Sequence, residues 1–178
     1  MPDCRLRMLN PEDLPAILSI ERASFPGCPW TLEGFLAEME RQFSAVLGLF
    51  PPVRSMTPAP PSGGGGGFPP SPLAAFAVFW LLEGETHLMR LAVAPERRRE
   101  GLGRTLLDAV LSASAAKGME RAVLEVRENN PAALSLYRSR GFRVTGRRRG
   151  YYEDGRTDAL TMTLDLVPRG LGGGPGPG

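Results

Sequence analysis

The sequence predicts an α+β (α/β) domain in which helices lie on both faces of a mixed β-sheet. Apolar residues recur at helical spacing in some segments and alternate along others. These segments follow the order helices, hairpin, then strand–helix–strand–helix–strand–strand, which is typical of a mixed sheet with helices on both faces. With 178 residues, of which 42% are apolar, the chain is also long enough to bury a sizeable core.

The helix boundaries follow from capping residues. A side chain that can cap the first turn precedes most of the predicted helices, and glycines end two of them. Proline is tolerated in a first turn because the missing N–H has no helical partner there. The predicted helices are 11–23 after Asn10, one that begins after Thr31, one that follows Gly103 and ends at Gly118, and one from Pro131, after Asn130, to Gly141.

The predicted strands are short apolar or alternating segments between turn residues. Glu83 and Gly84 form a turn that joins two of these strands as a hairpin. The strands are 44–50, 74–82, 85–93, 121–127, 142–149 and 159–166.

Two segments are too rich in glycine and proline to belong to the folded core. Residues 51–73 and 167–178 contain few apolar side chains to offset the chain entropy that is lost on ordering. We therefore expect one domain over 1–166, with a flexible insert at 51–73 and a disordered tail at 167–178. Without these two segments about 145 residues remain, a common size for a single domain.

Composition argues against several function classes. The net charge of +2 is too small to indicate nucleic acid, and aromatic residues are not interleaved with the arginine runs 97–99 and 147–149. No apolar run approaches the roughly 20 residues of a membrane helix, and the first ten residues lack the apolar core of a signal peptide. We therefore expect a cytoplasmic protein without nucleic-acid or membrane partners.

The cysteines and the histidine do not suggest a metal site. Cys4 and Cys28 are expected to be free thiols in a reducing cytosol, although a disulfide between them is the alternative. His87 is the single histidine, so no His/Cys cluster of the kind that binds zinc is present.

The connection Arg98–Gly103 lies between a predicted strand and a long predicted helix. Its two glycines allow a ligand to approach the backbone closely, and the helix that follows offers unpaired N–H groups. These features suit a pyrophosphate, with Arg98, Arg99 and Arg104 adding positive charge. The alternative is an ordinary strand–helix connection with a solvated basic cluster. The pattern is neither a Walker motif nor a dinucleotide fingerprint, because the required Gly-Lys-Ser/Thr or third glycine is missing.

Two further residues are candidates for proton transfer. Alternation places Glu125 in the middle of a strand, on the face opposite Leu124 and Val126, where a carboxylate can act as a general base. Tyr137 lies seven residues after Asn130 in a predicted helix, and its hydroxyl can donate a proton. The alternatives are a surface glutamate and a half-buried core aromatic residue.

Three segments in this order resemble the GNAT acetyltransferases: LAVAPERRREGLGRTLL, LEVRENNPAALSLYRSRGF and RRRGYYEDGRTDALTMTL. The resemblance is dense over 85–166 and looser over the first 45 residues, where Pro29-Trp30-Thr31 is similar to a Pro-Trp-Ser/Thr motif. Within the superfamily the chain is most similar to bacterial ribosomal-protein-alanine N-acetyltransferases. The resemblance implies a GNAT fold with a mostly antiparallel mixed sheet.

The resemblance also implies roles for individual residues, with acetyl-CoA as co-substrate and no metal. Glu125 corresponds to the base and Tyr137 to the acid that protonates the departing thiolate. The residues implied to bind coenzyme A are Leu91, Ala92 and Val93 for the pantetheine arm, Arg98, Arg99, Glu100, Gly101, Leu102, Gly103 and Arg104 for the pyrophosphate, and Asn130. The implied acceptor is a protein N-terminal α-amine, that of the N-terminal alanine of ribosomal protein S18.

Other functions fit the same motifs. A GNAT enzyme that acetylates lysine or a small amine would share the fold and the cofactor motifs. A non-catalytic module that binds acetyl-CoA would keep Gly101 and Gly103 but would not need Tyr137.

The sequence departs from the family at the insert 51–73 and at Arg90, which replaces a smaller or polar residue. If Arg90 faces the acceptor amine, it puts the usual acceptor in doubt. The acidic residues Glu153, Asp154 and Asp158, which follow Tyr151-Tyr152, either suit a basic N-terminal peptide or form a solvated hairpin tip.

Overall fold

The structure is a computed structural model that describes residues 4–51, 73–151 and 157–166. Short 3₁₀ turns at Pro11–Asp13 and Pro95–Arg97 accompany the longer elements. In chain order these are β1 (Arg5–Met8), α1 (Leu14–Ser24), α2 (Leu32–Glu40), β2 (Ser44–Phe50), β3 (Ala75–Leu82), β4 (Glu85–Val93), α3 (Leu102–Ala116), β5 (Arg121–Arg127), α4 (Pro131–Arg138), β6 (Arg143–Arg148) and β7 (Ala159–Asp165).

The described strands are hydrogen-bonded in the order β1-β2-β3-β4-β5-β7-β6. Pairing is antiparallel between β1 and β2, β5 and β7, and β6 and β7, and it is parallel between β4 and β5. The predicted mixed and mostly antiparallel sheet is therefore confirmed. The predicted insert, apart from Pro51 and Leu73, and the predicted tail lie outside the described residues.

Local signals placed most of the boundaries correctly. Thr31 caps α2 by accepting a hydrogen bond from the Gly34 N–H at 3.2 Å. Gly118 ends α3 with a φ of +76°, in the left-handed region that glycine adopts most easily. Glu83 and Gly84 both have positive φ, the geometry of a two-residue hairpin turn.

Two features at the N-terminus differ from the prediction. Residues 5–8 form a strand that was not predicted: Leu6 and Met8 alternate with arginines, but the segment has only four residues and both apolar side chains are exposed. The first α-helix begins at Leu14 rather than at residue 11. Pro15 has no N–H to bond the carbonyl of residue 11, and its ring would clash with that carbonyl in a continuous helix. Residues 11–13 therefore form a 3₁₀ turn, capped by Asn10 as predicted.

The chain divides into two compact units, Met1–Val78 with Arg90–Leu106 and Phe79–Met89 with Leu107–Gly178. We refer to them as the first and the second unit. In the first unit the Phe35 ring contacts the rings of Trp30 and Phe76 at centroid distances of 5.5 and 5.6 Å. In the second unit, buried apolar residues of α3, β5, α4 and β7 form the core, among them Leu107, Val110, Leu124, Leu134 and Met162.

Candidate active site

The second half of β4, in the first unit, contains the residues expected to face a pantetheine arm. The register between β4 and β5 ends at Leu88↔Leu124, whereas β4 itself continues to Val93. Within the described residues, β5 therefore does not pair with Leu91, Ala92 or Val93. A strand end without a partner on that side has N–H and C=O groups available to a ligand.

The connection after β4, which was predicted to bind an anion, is an open turn that leads into α3. Arg99 and Gly101 have positive φ, +66° and +82°, and a side chain built at Gly101 would meet no atom within 4 Å. The helix α3 begins at the buried residue Leu102, so Gly103 lies within its first turn instead of preceding it as predicted. A helix-type bond joins the Thr105 N–H to the Gly101 carbonyl. The N–H groups of the first helical residues have no partner within the helix, so an open, positively polarised surface lies beside Gly101.

The charged side chains of this connection have different contacts. Arg98 donates from Nε to the Val93 carbonyl and from Nη2 to Ser24 Oγ, both at 3.2 Å. It therefore ties the connection to β4 and to the end of α1. Glu100 is paired with Arg97 at 2.9 Å, which neutralises its charge. Arg99 and Arg104 are exposed.

Arg90, whose orientation the sequence left open, belongs to a closely packed network in the first unit. Its guanidinium carbon lies 4.4 Å from the ring centroid of Phe25 and 4.9 Å from that of Trp30, and Nη2 donates to the Cys28 carbonyl at 3.0 Å. Its Nε lies 3.4 Å from Glu21 Oε1. The side chain therefore holds the segment after α1 against β4.

Glu21 is the buried carboxyl group of this network, and sequence reasoning missed it. The carboxyl group is fully buried and accepts a hydrogen bond from the Trp30 N–H at 2.9 Å. Burial raises the pKa of Glu21 above its ordinary value, although the Trp30 N–H and the Arg90 charge act in the opposite direction. A signal was available, because Glu21 continues the helical spacing of Leu14, Ile17 and Leu18.

Glu125, in the second unit, has the orientation that alternation predicts. Leu124 and Val126 are buried, and the Glu125 side chain is 31% exposed. Its Oε1 accepts a hydrogen bond from Arg148 Nη1 at 2.8 Å. The guanidinium carbon of Arg148 also lies 4.1 Å from the Tyr151 ring centroid. Sequence reasoning treated Arg148 as part of a charge run and missed this contact.

Asn130 precedes α4 and Tyr137 lies on it, both in the second unit. Asn130 caps the helix, with Oδ1 accepting from the Ala133 N–H at 3.1 Å, and the residue is exposed. Tyr137 is 8% exposed, and its ring packs edge-on against Phe142 at 5.7 Å. The ring thus belongs to the core of the unit, while the proton-donor role of its hydroxyl stays a prediction.

The final hairpin contains one described member of the predicted acidic group. Asp158 accepts from the Gly150 N–H at 2.9 Å and from Arg147 Nη1 at 3.2 Å, so it stabilises the hairpin. Tyr152, Glu153 and Asp154 lie outside the described residues.

The remaining predictions concern cysteines, metals and membranes. Cys4 and Cys28 are free, as expected. Among the described residues, no three His, Cys, Asp or Glu side chains are grouped in a way that could hold a metal ion. No helix in the described ranges has the length and hydropathy needed to cross a membrane.

Comparison with known proteins identifies relatives of this chain. The model of the acetyltransferase (GNAT) family matches residues 66–142. The ribosomal protein bS18-alanine N-acetyltransferase of Escherichia coli is 42% identical over 96 residues, which are 53% of this chain and 65% of that protein, just under two thirds of its length. A putative enzyme of the same name from Bacillus subtilis is 29% identical over 162 residues, covering 90% of this chain and 95% of that protein.

A solved structure extends the likeness to nearly the whole chain. The crystal structure of the ribosomal-protein-S18-alanine N-acetyltransferase from Escherichia coli is 30% identical, with a TM-score of 0.75, over 94% of this chain and 98% of that one. Sequence and fold agree over this length, and the family model matches the segment with the candidate anion site. The chain therefore belongs to the GNAT family of acetyltransferases.

Proposed function

We propose that this protein transfers the acetyl group of acetyl-CoA to a protein N-terminal α-amine, and that its acceptor is the N-terminal alanine of ribosomal protein S18. The observation that supports the cofactor most strongly is the open, positively polarised surface at Gly101. Relatives named for S18 alanine acetylation support the acceptor.

The residues around Gly101 fit a pyrophosphate. The start of α3 offers N–H groups and a positive dipole end, and Arg99 and Arg104 lie exposed on either side of it in sequence. Arg98 instead holds the connection to Val93 and Ser24. The stretch Leu91–Val93, which does not pair with β5, would bind the adjoining pantetheine arm through its backbone, as in β-strand addition.

The acceptor must lose a proton before its nitrogen can attack the thioester. A chain α-amino group has a pKa of about 7.7–8.0, and lysine about 10.4, so at pH 7 deprotonation costs roughly 1–1.4 kcal/mol for the first and roughly 4.6 kcal/mol for the second. A carboxylate is a modest base, and it therefore suits an N-terminal amine better than a lysine. Glu125 would take this proton directly or through a water molecule.

The reaction then needs a proton at the sulfur. As the new C–N bond forms and the C–S bond breaks, Tyr137 would give its hydroxyl proton to the departing thiolate. Asn130 would contribute its side-chain N–H₂ to cofactor binding, because its carbonyl oxygen already caps α4. No covalent intermediate on the protein is required.

The cofactor surface can be tested with two glycines that share a backbone conformation. Gly101→Ala and Gly118→Ala both place a side chain at positive φ in open space, so each should lower stability by about 1–3 kcal/mol. Only Gly101→Ala should raise the KM for acetyl-CoA, because only there would the new methyl group meet a phosphate. Equal KM values in the two variants would argue against a pyrophosphate at Gly101.

The proton-transfer residues can be tested with near-isosteric changes. Glu125→Gln should lower kcat by about 10²–10⁴-fold and leave acetyl-CoA binding near normal. Tyr137→Phe keeps the ring against Phe142, so the fold should persist while kcat falls. Unchanged turnover in the first variant would remove the proposed base. Unchanged turnover of both variants on every accepted amine would favour a function in which acetyl-CoA is bound without catalysis.

The acceptor can be identified with a peptide panel. It contains a peptide with the N-terminal sequence of S18, the same peptide with a blocked α-amine and a free lysine, and unrelated N-termini. Transfer to the free α-amine alone, fastest on the S18 sequence, is the expected result. Transfer to lysine would instead support the alternative of a lysine or small-amine acetyltransferase.

A further inference from the structure

The proposed base is bound to a cation before any acceptor arrives. Arg148 Nη1 donates to Glu125 Oε1 at 2.8 Å, a charge-assisted hydrogen bond of normal length. An acceptor's α-ammonium at pH 7 is also a cationic N–H donor, since its pKa is about 7.7–8.0. Both cations would use the same carboxylate, so an acceptor that reaches Glu125 must compete with Arg148.

The geometry of β6 explains how Arg148 reaches a strand that is not its neighbour. β7 lies between β5 and β6, and Glu125 pairs with Thr161 of β7. The residue of β6 opposite Thr161 is Gly146, at a register shift, and it has no side chain to fill the space above Thr161. The Arg148 side chain can therefore cross this row to reach Glu125.

Water reaches this ion pair, so it is exchangeable. The Arg148 side chain is 57% exposed and that of Glu125 is 31% exposed. Exposed pairs of this kind are weak because water solvates both charges when they separate. Arg148 also has a second contact, the Tyr151 ring at 4.1 Å, which it can keep after it leaves Glu125.

The neighbouring cation of β6, Arg147, has other partners. Arg147 is bound to Glu128 at 3.0 Å and to Asp158 at 3.2 Å. Thr161 of β7, which pairs with Glu125, and the nearby Thr163 are uncharged. Arg148 thus supplies the cation that is hydrogen-bonded to Glu125, whereas Arg147 belongs to the hairpin.

We infer that Arg148 is a specificity-determining residue that occupies the position of the acceptor's α-ammonium on Glu125 until a bound acceptor displaces it. This inference rests on the proposed function. It implies selection between acceptors, because a peptide whose remaining contacts are weak cannot exchange with Arg148. The resting pair also keeps small cations from the carboxylate.

The test compares Arg148→Gln with Arg147→Gln, which removes the same charge from the adjacent residue of the same strand. Removing Arg148 should lower the KM for the S18 peptide by about 2–5-fold, the factor expected for losing one exposed competing ion pair. Both kcat and the KM for acetyl-CoA should stay near their original values. Arg147→Gln should leave all three unchanged, and Arg148→Lys should restore most of the original peptide KM.

A second measurement separates this inference from the proposed base. Peptide binding is measured by calorimetry for Arg148→Gln, Glu125→Gln and the double variant. The gain in affinity from Arg148→Gln should disappear when Glu125 is also replaced, because the competition is for that carboxylate.

The outcomes are distinguishable. Full turnover in Glu125→Gln would contradict the proposed base. Impaired turnover in Glu125→Gln, together with an unchanged or higher peptide KM in Arg148→Gln, would overturn only the role of Arg148. A fall in kcat for Arg148→Gln would also overturn it, since Arg148 would then be orienting Glu125. If neither the wild type nor any of the variants bound the peptide, the proposed displacement of Arg148 from Glu125 by an acceptor would be contradicted.

Discussion

Two glutamate–arginine pairs in this chain have similar chemistry and different surroundings. In the Glu21–Arg90 pair the side chains are 0% and 17% exposed, whereas in the Glu125–Arg148 pair they are 31% and 57% exposed. The buried pair is supported by two aromatic rings, a carbonyl group and an N–H group. Among the described residues, the exposed pair is supported by one aromatic ring, and water reaches both of its side chains.

This difference separates a structural contact from an exchangeable one. Removing one partner of a buried pair leaves a charge that water cannot reach, which is strongly destabilising. Removing one partner of an exposed pair leaves a charge that water solvates, so the folded state is little affected. The same pair of residue types therefore stabilises the fold at Glu21 and remains available to a ligand at Glu125.

The largest effect on stability is expected from Arg90→Met. It leaves the Glu21 carboxyl buried without its cation, so the free energy of unfolding should fall by about 3–5 kcal/mol. Arg90→Lys keeps the charge but loses the planar contacts with Phe25 and Trp30, so its free energy of unfolding should fall by less than that of Arg90→Met. Urea unfolding measures both, and a loss below about 1 kcal/mol in Arg90→Met would indicate that water reaches Glu21.

A smaller effect is expected from adding Glu21→Gln to Arg90→Met. Glutamine retains an oxygen for the Trp30 N–H and removes the uncompensated charge, so the double variant should recover about 1–3 kcal/mol relative to Arg90→Met alone. The double-mutant cycle gives this coupling directly. Additive losses would mean that Glu21 and Arg90 act independently.

Stability should also depend on pH through Glu21. Because burial raises the pKa of this carboxyl, the folded protein binds its proton more tightly than the unfolded chain does. The resulting stability is fully present below the unfolded pKa of about 4.3 and is lost as pH rises through the higher folded pKa. The wild type should therefore gain stability relative to Glu21→Gln as pH is lowered towards about 4.3. A difference that is constant with pH would contradict this prediction.

Asp13 provides a contrast in the same experiment. Its hydrogen bond with Arg7 lowers the pKa of the Asp13 carboxyl, so its contribution is present above the unfolded pKa of about 3.9 and is lost as pH falls through the lower folded pKa. The two groups thus act in opposite directions and in different pH ranges. Asp13→Asn should remove only the loss of stability at the acidic end of the pH range, below about 3.9.

The smallest effect on stability is expected from Arg148→Gln. Water solvates the Glu125 carboxylate that this change leaves behind, so the urea midpoint should stay close to that of the wild type. Arg148→Gln is expected to change the peptide KM with little change in stability, whereas Arg90→Met is expected to change stability. A large loss of stability would show that the Glu125–Arg148 pair is structural, like the buried pair.

Local sequence signals predicted the features that neighbouring residues decide. Thr31 and Asn130 cap helices through N–H groups three residues away. The open turn at Gly101 likewise depends on a few adjacent residues. Pro15 altered the start of α1 for an equally local reason, so that error was avoidable.

Contacts between distant residues could not be predicted in the same way. Arg148 and Glu125 are 23 residues apart, and Arg90 and the Cys28 carbonyl are 62 residues apart. Alternation placed Glu125 on the correct face of β5 but gave no information about the side chain opposite it. The contact depends on the register of β6 against β7, where the shift at Gly146 lets Arg148 cross to Glu125.

The sequence by itself determined the fold class, the helix caps and the location of the open turn at Gly101 where we propose that an anion binds, because periodicity and backbone preferences act over a few residues. It also contained the motifs by which the chain resembles its family. Only the tertiary structure decided that Arg90 is held in a buried network and that Arg148 is bound to the proposed base. Burial and strand register set the strength of an ion pair, and both arise from residues that are far apart in the chain.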